Sequence, residues 1–286
     1  MRLVPVNEIS PGMKLAKPIY YDTGILLNSG IKNLPKYSKR LLEKGINYIY
    51  VEDKFSSDIE VDDVVKEKTR RKCKKVIKDT LENISFNKKI EIKEVENVVN
   101  QIVNDIYNSK DILLNLVDIK SYDSYTFDHS VNVAVLSILM GNSLNYNKSN
   151  LIKLGIGAIL HDIGKTLIPE GILTKKEKLT DNEFDIIKKH PRLGYDYLKG
   201  NNNISPVSKN PILYHHERMD GNGYPKKLPG NELHDFAKIV GITDVFDALT
   251  SDRVYRNRWP IHKAINYLMS NTNEKFDLEY IKKFIR

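Results

Sequence analysis

The sequence predicts a mainly α-helical fold preceded by a small α+β module. From Ile92 onward, apolar residues recur at three- and four-residue intervals, which is the period of an amphipathic helix. The first 52 residues instead place short apolar runs between turn residues, a pattern typical of strands. The chain of 286 residues exceeds the size at which a single hydrophobic core usually stops growing, so we expect two domains.

The N-terminal module is expected to span residues 1–90. The predicted strands are 15–21, 24–27 and 46–51. The turn Asp22-Thr23-Gly24 between the first two strands indicates a hairpin. Residues 34–44 have helical spacing and stop at Gly45, a residue typical of helix C-caps. This module is predicted to be regulatory, to bind a partner, or only to brace the rest of the chain.

A charged helix follows an acidic linker at 52–63. It is predicted over residues 64–84 and contains the basic run from Lys66 to Lys75. Such a run is compatible with a nucleic-acid or membrane patch. The simpler interpretation, which we favour, is a solvated helix face.

The second domain is expected to span residues 91–286. Helical spacing is found at 95–116, 131–144, 151–163, 181–198, 211–216, 237–249 and 261–269. Pro191, Pro206 and the turn-rich stretch 220–230 interrupt the pattern. We therefore expect this domain to be built almost wholly from helices.

The composition excludes several classes of protein. A single cysteine, Cys73, excludes an intramolecular disulfide framework and a multi-cysteine zinc site. The uncharged stretch 131–147 comes nearest to a membrane span, but polar residues such as Asn132 interrupt it. We therefore expect a soluble, cytoplasmic protein. The net charge of +8 leaves nucleic acid, a membrane surface or a phosphorylated small ligand open.

Five of the seven histidines, together with two aspartates, occur in settings typical of metal ligands. They are His129, His161, His190, His215, His216, Asp162 and Asp244. A single buried histidine is more often an ordinary core residue, but adjacent pairs are costly to bury without a metal or dense hydrogen bonding. Seven such groups are too many for one tetrahedral ion and suit two ions that share a bridging carboxylate.

Three further features indicate a phosphate ligand. Lys165 lies four residues after His161, so a continuous helix would place both on one face. The glycine-bearing loop at 220–225 closely follows the paired histidines. Arg253 and Arg256 could clamp a phosphodiester by bidentate contacts, whereas Arg258 is interpreted as a solvated helix end.

Taken together, these segments resemble the HD-GYP domain of bacterial cyclic di-GMP phosphodiesterases, within the HD hydrolase superfamily. The matching runs are Thr126-Phe127-Asp128-His129, His161-Asp162-Ile163-Gly164-Lys165, His190-Pro191, His215-His216-Glu217, Asp220-Gly221-Asn222-Gly223-Tyr224-Pro225 and the run from Asp244 to Arg253. The resemblance covers residues from about 112 to the C-terminus. It implies a helical metallohydrolase that cleaves cyclic di-GMP to linear pGpG, with onward cleavage to GMP left open.

The resemblance also implies roles for individual residues. One ion would be held by His129, His161, Asp162 and Asp244, and the second by His190, His215 and His216, with Asp162 bridging. Lys165 would contact phosphate, and Tyr224 would lie against the substrate. Arg253 and Arg256 would contact phosphate or guanine, and Asp123 would contact a guanine. Lys165, Asp162 and Asp247 would be the catalytic residues, with a metal-bridging hydroxide as nucleophile. Asp247 would orient Lys165 or a histidine, or else only stabilise its helix.

The resemblance implies two divalent ions, with Fe or Mn favoured and Zn, Ni, Co or Mg compatible. Some HD-GYP enzymes bind a third ion through a carboxylate one turn before the first histidine. This chain has Tyr125 there, which favours a binuclear site.

Two alternatives remain at this stage. The substrate could be a hybrid GMP–AMP cyclic dinucleotide, or the domain could be a non-catalytic module that binds a cyclic dinucleotide or another protein. The complete ligand set favours the enzyme. DNA is not expected as a partner, and a homodimer or a signalling-protein partner is left open.

Overall fold

The computed structural model describes residues 1–21, 24–56, 64–86, 88, 90–108, 125–175, 177–251 and 258–285, with the backbone alone at 125–127. These residues belong to two compact units. The first comprises residues up to 56, and the second comprises those from 64 onward.

The N-terminal unit is built on short antiparallel strands. They are β1 (Arg2–Pro5), β2 (Lys14–Leu15), β3 (Ile19–Tyr21), β4 (Gly24–Leu27) and β5 (Tyr48–Glu52). Strand β5 lies between β1 and β2, with Arg2 opposite Val51, while β3 and β4 pair as a separate hairpin. The predicted strand at 15–21 is divided in two, and Pro18, which has no N–H to donate, lies in the gap.

One helical segment covers the core of this unit. It begins as a 3₁₀ turn at Leu34–Tyr37 and continues as α1 (Ser38–Glu43). Gly45 has a φ of 76°, the left-handed conformation that ends helices, as the sequence predicted. Leu34 and Leu41 are buried in a core that also contains Leu15 and Val51.

The second unit is almost entirely helical, which confirms the predicted fold class. Its helices are α2 (Glu67–Ser85), α3 (Ile92–Asn108), α4 (Tyr125–Ser143), α5 (Lys148–Ile159), α6 (Glu170–Leu173), α7 (Asp181–Ile187), α8 (His190–Leu198), α9 (Pro206–Tyr214), α10 (Asp235–Thr250), α11 (Ile261–Ser270) and α12 (Leu278–Ile285). Short 3₁₀ turns occur at Ile163–Leu167 and Gly230–Glu232.

Helices α4 and α10 form the centre of this unit. They pack against each other, and α5 and α9 pack around them. Both are buried on nearly all sides, which explains why their sequences lack a polar stripe. The uncharged stretch after residue 131 is therefore a central helix of a globular unit. Among the described residues, no helix combines the length and the apolar character needed to cross a bilayer.

Helix α2 packs against α3 and α4, so its contacts are with the helical unit. The predicted N-terminal module of residues 1–90 includes this charged helix. Its buried face includes Cys73 and Ile77, but it has few apolar residues, and the ten charged residues of the helix obscure it in the sequence. As a division of function, the boundary at residue 90 stays a prediction.

Two helix boundaries differ from the predicted ones, and both differences shape the site. The stretch 181–198 is two helices, because Pro191 begins a new helix rather than continuing the old one. Helix α5 ends at Ile159, so residues 160–167 do not continue it. They form turns instead, including the 3₁₀ turn at Ile163–Leu167.

Candidate metal centre

Seven side chains from five segments converge inside the helical unit. His129 is on α4, His161 and Asp162 directly follow α5, His190 begins α8, His215 and His216 follow α9, and Asp244 is on α10. All are buried except His216, which is half-buried. Their potential ligand atoms form three overlapping groups in which every atom lies within 4.8 Å of the others.

Asp162 lies at the centre of this cluster, and its two oxygens face different histidines. Oδ2 is 3.7 Å from His129 Nε2 and 3.4 Å from His161 Nε2. Oδ1 is 3.2 Å from His190 Nε2 and 3.8 Å from His215 Nε2. Ligands about 2.0–2.2 Å from a common ion lie roughly 3–3.5 Å from one another. One histidine beside each Asp162 oxygen lies within this range, and the other lies slightly beyond it.

Asp244 belongs to the first of these sets. Its Oδ1 is 3.1 Å from His129 Nε2 and 3.9 Å from His161 Nε2. Two imidazoles, those of His129 and His161, therefore lie near the two carboxylates of Asp162 and Asp244. Such a donor set suits Fe, Mn or Zn.

Three of the histidines are held in one tautomer by the backbone. The Nδ1 atoms of His161, His190 and His215 lie 2.7, 2.8 and 2.7 Å from the carbonyl oxygens of residues 158, 187 and 211. A carbonyl oxygen only accepts, so each Nδ1 carries the proton and donates it. Each Nε2 then turns a lone pair toward the cluster, which is the arrangement typical of metal-ligating histidines.

The inward-facing atoms lack donors, and a cation would satisfy them. Within the described part of the chain, neither His161 Nε2 nor Asp162 Oδ1 has a hydrogen-bond partner. His190 Nε2 and His215 Nε2 are only 3.3 Å apart, although both are acceptors in the tautomer that the backbone selects. Buried acceptors that face one another are costly unless a cation lies between them. The residues present therefore fit one or more divalent ions.

His129 is oriented by a carboxylate instead of a carbonyl. Its Nδ1 lies 2.8 Å from Asp247 Oδ2, and Asp247 is buried one helical turn after Asp244. Asn132 and Ser251 donate to the other Asp247 oxygen at 3.1 and 3.2 Å. Of the roles considered for Asp247, this geometry favours the orientation of a histidine.

The pKa values of the cluster follow from burial and from the two carboxylates. Burial lowers the pKa of His216 to about 3 and that of His215 well below its usual range, so both rings are neutral at pH 7. Burial also lowers the pKa of His129, but hydrogen bonds to Asp244 and Asp247 outweigh it and raise the value to about 9. Burial alone would raise the pKa of the Asp162 carboxyl group. The stronger opposing effect of the nearby Lys165 and His161 lowers it well below its usual value.

Lys165 reaches the cluster by a different route from the predicted one. The prediction that His161 and Lys165 share one helix face was wrong, because α5 ends before both residues and Lys165 lies in a 3₁₀ turn. That turn folds the ammonium back onto Asp162 Oδ2, with which it forms an ion pair. About a third of the Lys165 side chain remains exposed at the edge of the site.

The glycine-bearing loop is tied to the histidine pair by Glu217. Its buried carboxylate accepts the backbone N–H groups of Lys226 at 2.6 Å and Leu228 at 3.1 Å. The backbone N–H of Tyr224 donates to the carbonyl of His216, and the two rings are 4.7 Å apart. Sequence reasoning named Glu217 only as part of a motif and missed this role, because its partners are backbone amides.

Some predicted contacts lie outside the described residues. They are Asp123, Arg253 and Arg256, and Tyr125 is described in its backbone alone. Asn132 was also missed as a site residue. The only available signal was a polar side chain within an otherwise apolar helix.

Comparisons with known proteins show which family the chain resembles. A family model described as an HD domain matches residues 111–280. A cyclic di-GMP phosphodiesterase of Pseudomonas aeruginosa is 35% identical over 197 residues, which is 69% of this chain and 47% of that protein. The response regulator RpfG of Xanthomonas campestris, also named a cyclic di-GMP phosphodiesterase, is 38% identical over 149 residues, 52% of this chain and 39% of that protein. The chain thus spans less than half the length of these relatives.

A further relative and a solved structure complete the comparison. A 3′3′-cGAMP-specific phosphodiesterase of Vibrio cholerae is 35% identical over 166 residues, 57% of this chain and 35% of that protein. The structure of Bd1817, an HDG"Y"P protein from Bdellovibrio bacteriovorus, aligns with a TM-score of 0.65 over 99% of this chain and 97% of that one. At 19% identity this likeness shows the fold alone. The family model covers more than half of the sequence, and the chain belongs to the HD domain family.

Proposed function

We propose that this chain is a metal-dependent phosphodiesterase that hydrolyses cyclic di-GMP to linear pGpG, with GMP as a further product left open. The observation that carries the proposal is the position of Asp162, whose two oxygens face separate histidine sets. Three relatives are named cyclic di-GMP phosphodiesterases at 34–38% identity, which supports the choice of substrate.

The proposed ligand sets follow the two faces of Asp162. His129, His161 and Asp244 would hold one ion with Oδ2, and His190, His215 and His216 would hold a second with Oδ1. Fe or Mn is the favoured identity, and Zn, Ni, Co or Mg is chemically compatible. When bound, divalent cations lower the pKa of water and polarise phosphoryl oxygens, which is the chemistry that phosphodiester hydrolysis requires.

The chain's own residues would bind and orient the substrate around these ions. The Lys165 ammonium has three N–H donors, and one is directed at Asp162. Its remaining donors, at the exposed edge of the site, would neutralise phosphate charge and protonate the leaving 3′-oxygen. Burial raises the pKa of the Tyr224 phenol, so it would act as a neutral hydrogen-bond donor beside His216. The contacts proposed for Arg253, Arg256 and Asp123 stay predictions.

When the purified chain is loaded anaerobically with iron or manganese, it should convert cyclic di-GMP to pGpG. Chromatography measures the amount of pGpG formed. His161→Ala and Asp162→Ala should reduce turnover by at least about 100-fold, because each removes a proposed ligand. His262→Ala is the matched control, since His262 is exposed and not among the proposed ligands. Absence of turnover in chain with confirmed bound metal would refute the proposal and favour a non-catalytic binding module.

A hybrid GMP–AMP cyclic dinucleotide is the second candidate substrate. The relatives specific for 3′3′-cGAMP are 30–35% identical, which overlaps the range of the cyclic di-GMP enzymes. Measured kcat/KM values for the two dinucleotides on the same metal-loaded sample decide between them. We expect the larger value for cyclic di-GMP, and a larger value for the hybrid would reverse the assignment.

A further inference from the structure

The basic run on α2 divides into exposed and buried residues. Lys68, Lys72 and Lys75 are exposed, as expected for a solvated helix face. Arg70 is only 5% exposed, and the side chain of Lys74 is 18% exposed. These two residues are four apart, so they lie on one face of the helix. Neither a solvated face nor a nucleic-acid patch accounts for cations that are turned into the protein.

Both cations reach α4 on either side of a proposed metal ligand. Lys74 Nζ lies 2.5 Å from Asp128 Oδ1, and Arg70 Nη1 donates to Asn132 Oδ1 over 3.5 Å. Asp128 and Asn132 are also four residues apart. Each of the two basic residues of α2 therefore meets one polar residue of α4, at positions one helical turn apart. His129 directly follows Asp128 and lies within this pair.

From Asn132 a chain of hydrogen bonds continues to the ligand itself. Asn132 Nδ2 donates to Asp247 Oδ1 at 3.1 Å, and Asp247 Oδ2 lies 2.8 Å from His129 Nδ1. Arg70 fixes the Asn132 amide so that its oxygen faces α2 and its NH₂ group faces Asp247. The direction of the amide then determines which Asp247 oxygen is left for His129.

The burial of these groups argues that the contacts are specific. Asp128, Asn132 and Asp247 are each at most 5% exposed. A buried polar chain rigidifies its members when every link is made and is costly when one link is missing. Helix docking alone is achieved elsewhere on α2 by apolar residues such as Val76 and Ile77.

We propose that Arg70 is a positioning residue that fixes His129 as a metal ligand through Asn132 and Asp247. The ion pair of Lys74 with Asp128 supports this role by holding α2 against the same turn of α4. The inference rests on the proposed function, because it requires that His129 binds a metal. It assigns the otherwise unexplained basic residues of α2 to the support of the metal centre.

The test compares metal affinity with folding in the full chain. Wild type, Arg70→Met, Lys74→Met and the control Lys75→Met are titrated with Co²⁺ against a chromophoric chelator, and the visible spectrum of bound Co²⁺ is recorded. Loss of an outer partner of a metal ligand typically weakens binding by about 10–100-fold. We expect a decrease of about 10-fold, the lower end of that range, for Arg70→Met, with an altered Co²⁺ spectrum. The decrease should be smaller for Lys74→Met, and Lys75→Met should show no change.

Asn132→Leu provides the same test without removing a charge from α2, in case Arg70→Met does not fold. It retains side-chain volume but breaks the link to Asp247, so it should also weaken Co²⁺ binding by at least about 10-fold. Far-ultraviolet circular dichroism and the thermal midpoint are measured on every variant. Folded Arg70→Met and Asn132→Leu variants that bind Co²⁺ within twofold of wild type, even with a lower midpoint, would overturn the inference. A wild type that binds no Co²⁺ would instead refute the proposed metal site.

Discussion

Replacing Gly164 with alanine would test how the two halves of the metal centre are held together. Gly164 lies in the 3₁₀ turn directly after Asp162, and α8, which carries His190, crosses this turn closely. A Cβ at residue 164 would lie 2.0 Å from the carbonyl oxygen of His190 and 2.6 Å from the backbone nitrogen of Gly194. Both neighbours are backbone atoms, so no side-chain rotation can relieve the overlap.

The displacement required is large on the scale of metal coordination. An ordinary contact begins near 3.4 Å, so the carbonyl of His190 must retreat by about 1.4 Å from its 2.0 Å position. Metal–ligand distances tolerate deviations of only about 0.2 Å. His190 Nε2 is 3.2 Å from Asp162 Oδ1 in the unstrained site. A shift of this size would separate the second proposed ligand set from Asp162, its proposed bridge. A misplacement of about 1 Å costs on the order of 100-fold in rate.

The assay combines metal analysis with turnover. Gly164→Ala should lose one ion per chain by mass spectrometry, hydrolyse cyclic di-GMP at least about 100-fold more slowly, and unfold about 1–3 kcal/mol more easily from overpacking. Gly171→Ala is the matched control, because no atom lies within 4 Å of its Cβ on the exposed helix α6. This control should keep both ions and be as stable as wild type or about 0.5–1 kcal/mol more stable. A Gly164→Ala protein with wild-type metal content and turnover would refute the reasoning.

Three further predictions concern other parts of the helical unit. Glu217→Ala removes the acceptor for two loop N–H groups, so the KM for cyclic di-GMP should rise while metal content stays constant; an unchanged KM would contradict the anchoring role. Burial raises the pKa of Cys73 to about 12, so the native chain should not react with a thiol reagent at pH 8 and should expose one thiol when unfolded; rapid native labelling would show that α2 is not packed as described. A hydrogen bond from Lys175 lowers the pKa of Glu183 to about 2, below its unfolded value near 4.5. The stabilisation by Glu183 should therefore be complete above about pH 4.5 and disappear as the pH falls toward 2. Urea unfolding measures the free energy of unfolding of wild type and of Glu183→Gln across this pH range. A difference in stability between the two proteins that persists undiminished at pH 2 would contradict the prediction.

The three- and four-residue spacing of apolar residues predicted most of the helices in the second unit. It did so because each of these helices buries either one face or its whole circumference. The uncharged run after residue 131 illustrates the limit of this reasoning. Its composition resembles a membrane segment, and only packing with α10 shows that it is the centre of a globular unit. The candidate ligands could be selected from the sequence because their residue types and order match a family motif, and the structure brings them into one cluster. Their roles as ligands stay predictions until a metal is measured.

The route by which side chains reach the site could not be predicted from spacing alone. The common helix face assumed for His161 and Lys165 requires a helix that in fact ends at Ile159. The contact between Arg70 and Asn132 joins residues 62 apart in the chain, and no local pattern encodes such a pair. Charge patterning accordingly described the exposed residues of α2 correctly and overlooked its two buried cations.

The most direct test of the account is the number of divalent ions bound per chain in wild type and in two single-ligand variants. We expect two ions in wild type, with one lost in His161→Ala and the other lost in His190→Ala, because these residues face different oxygens of Asp162. Element-resolved mass spectrometry of anaerobically purified protein gives the count. A wild type with a single ion, or two variants that keep the full complement, would contradict the assignment of Asp162 as the bridge.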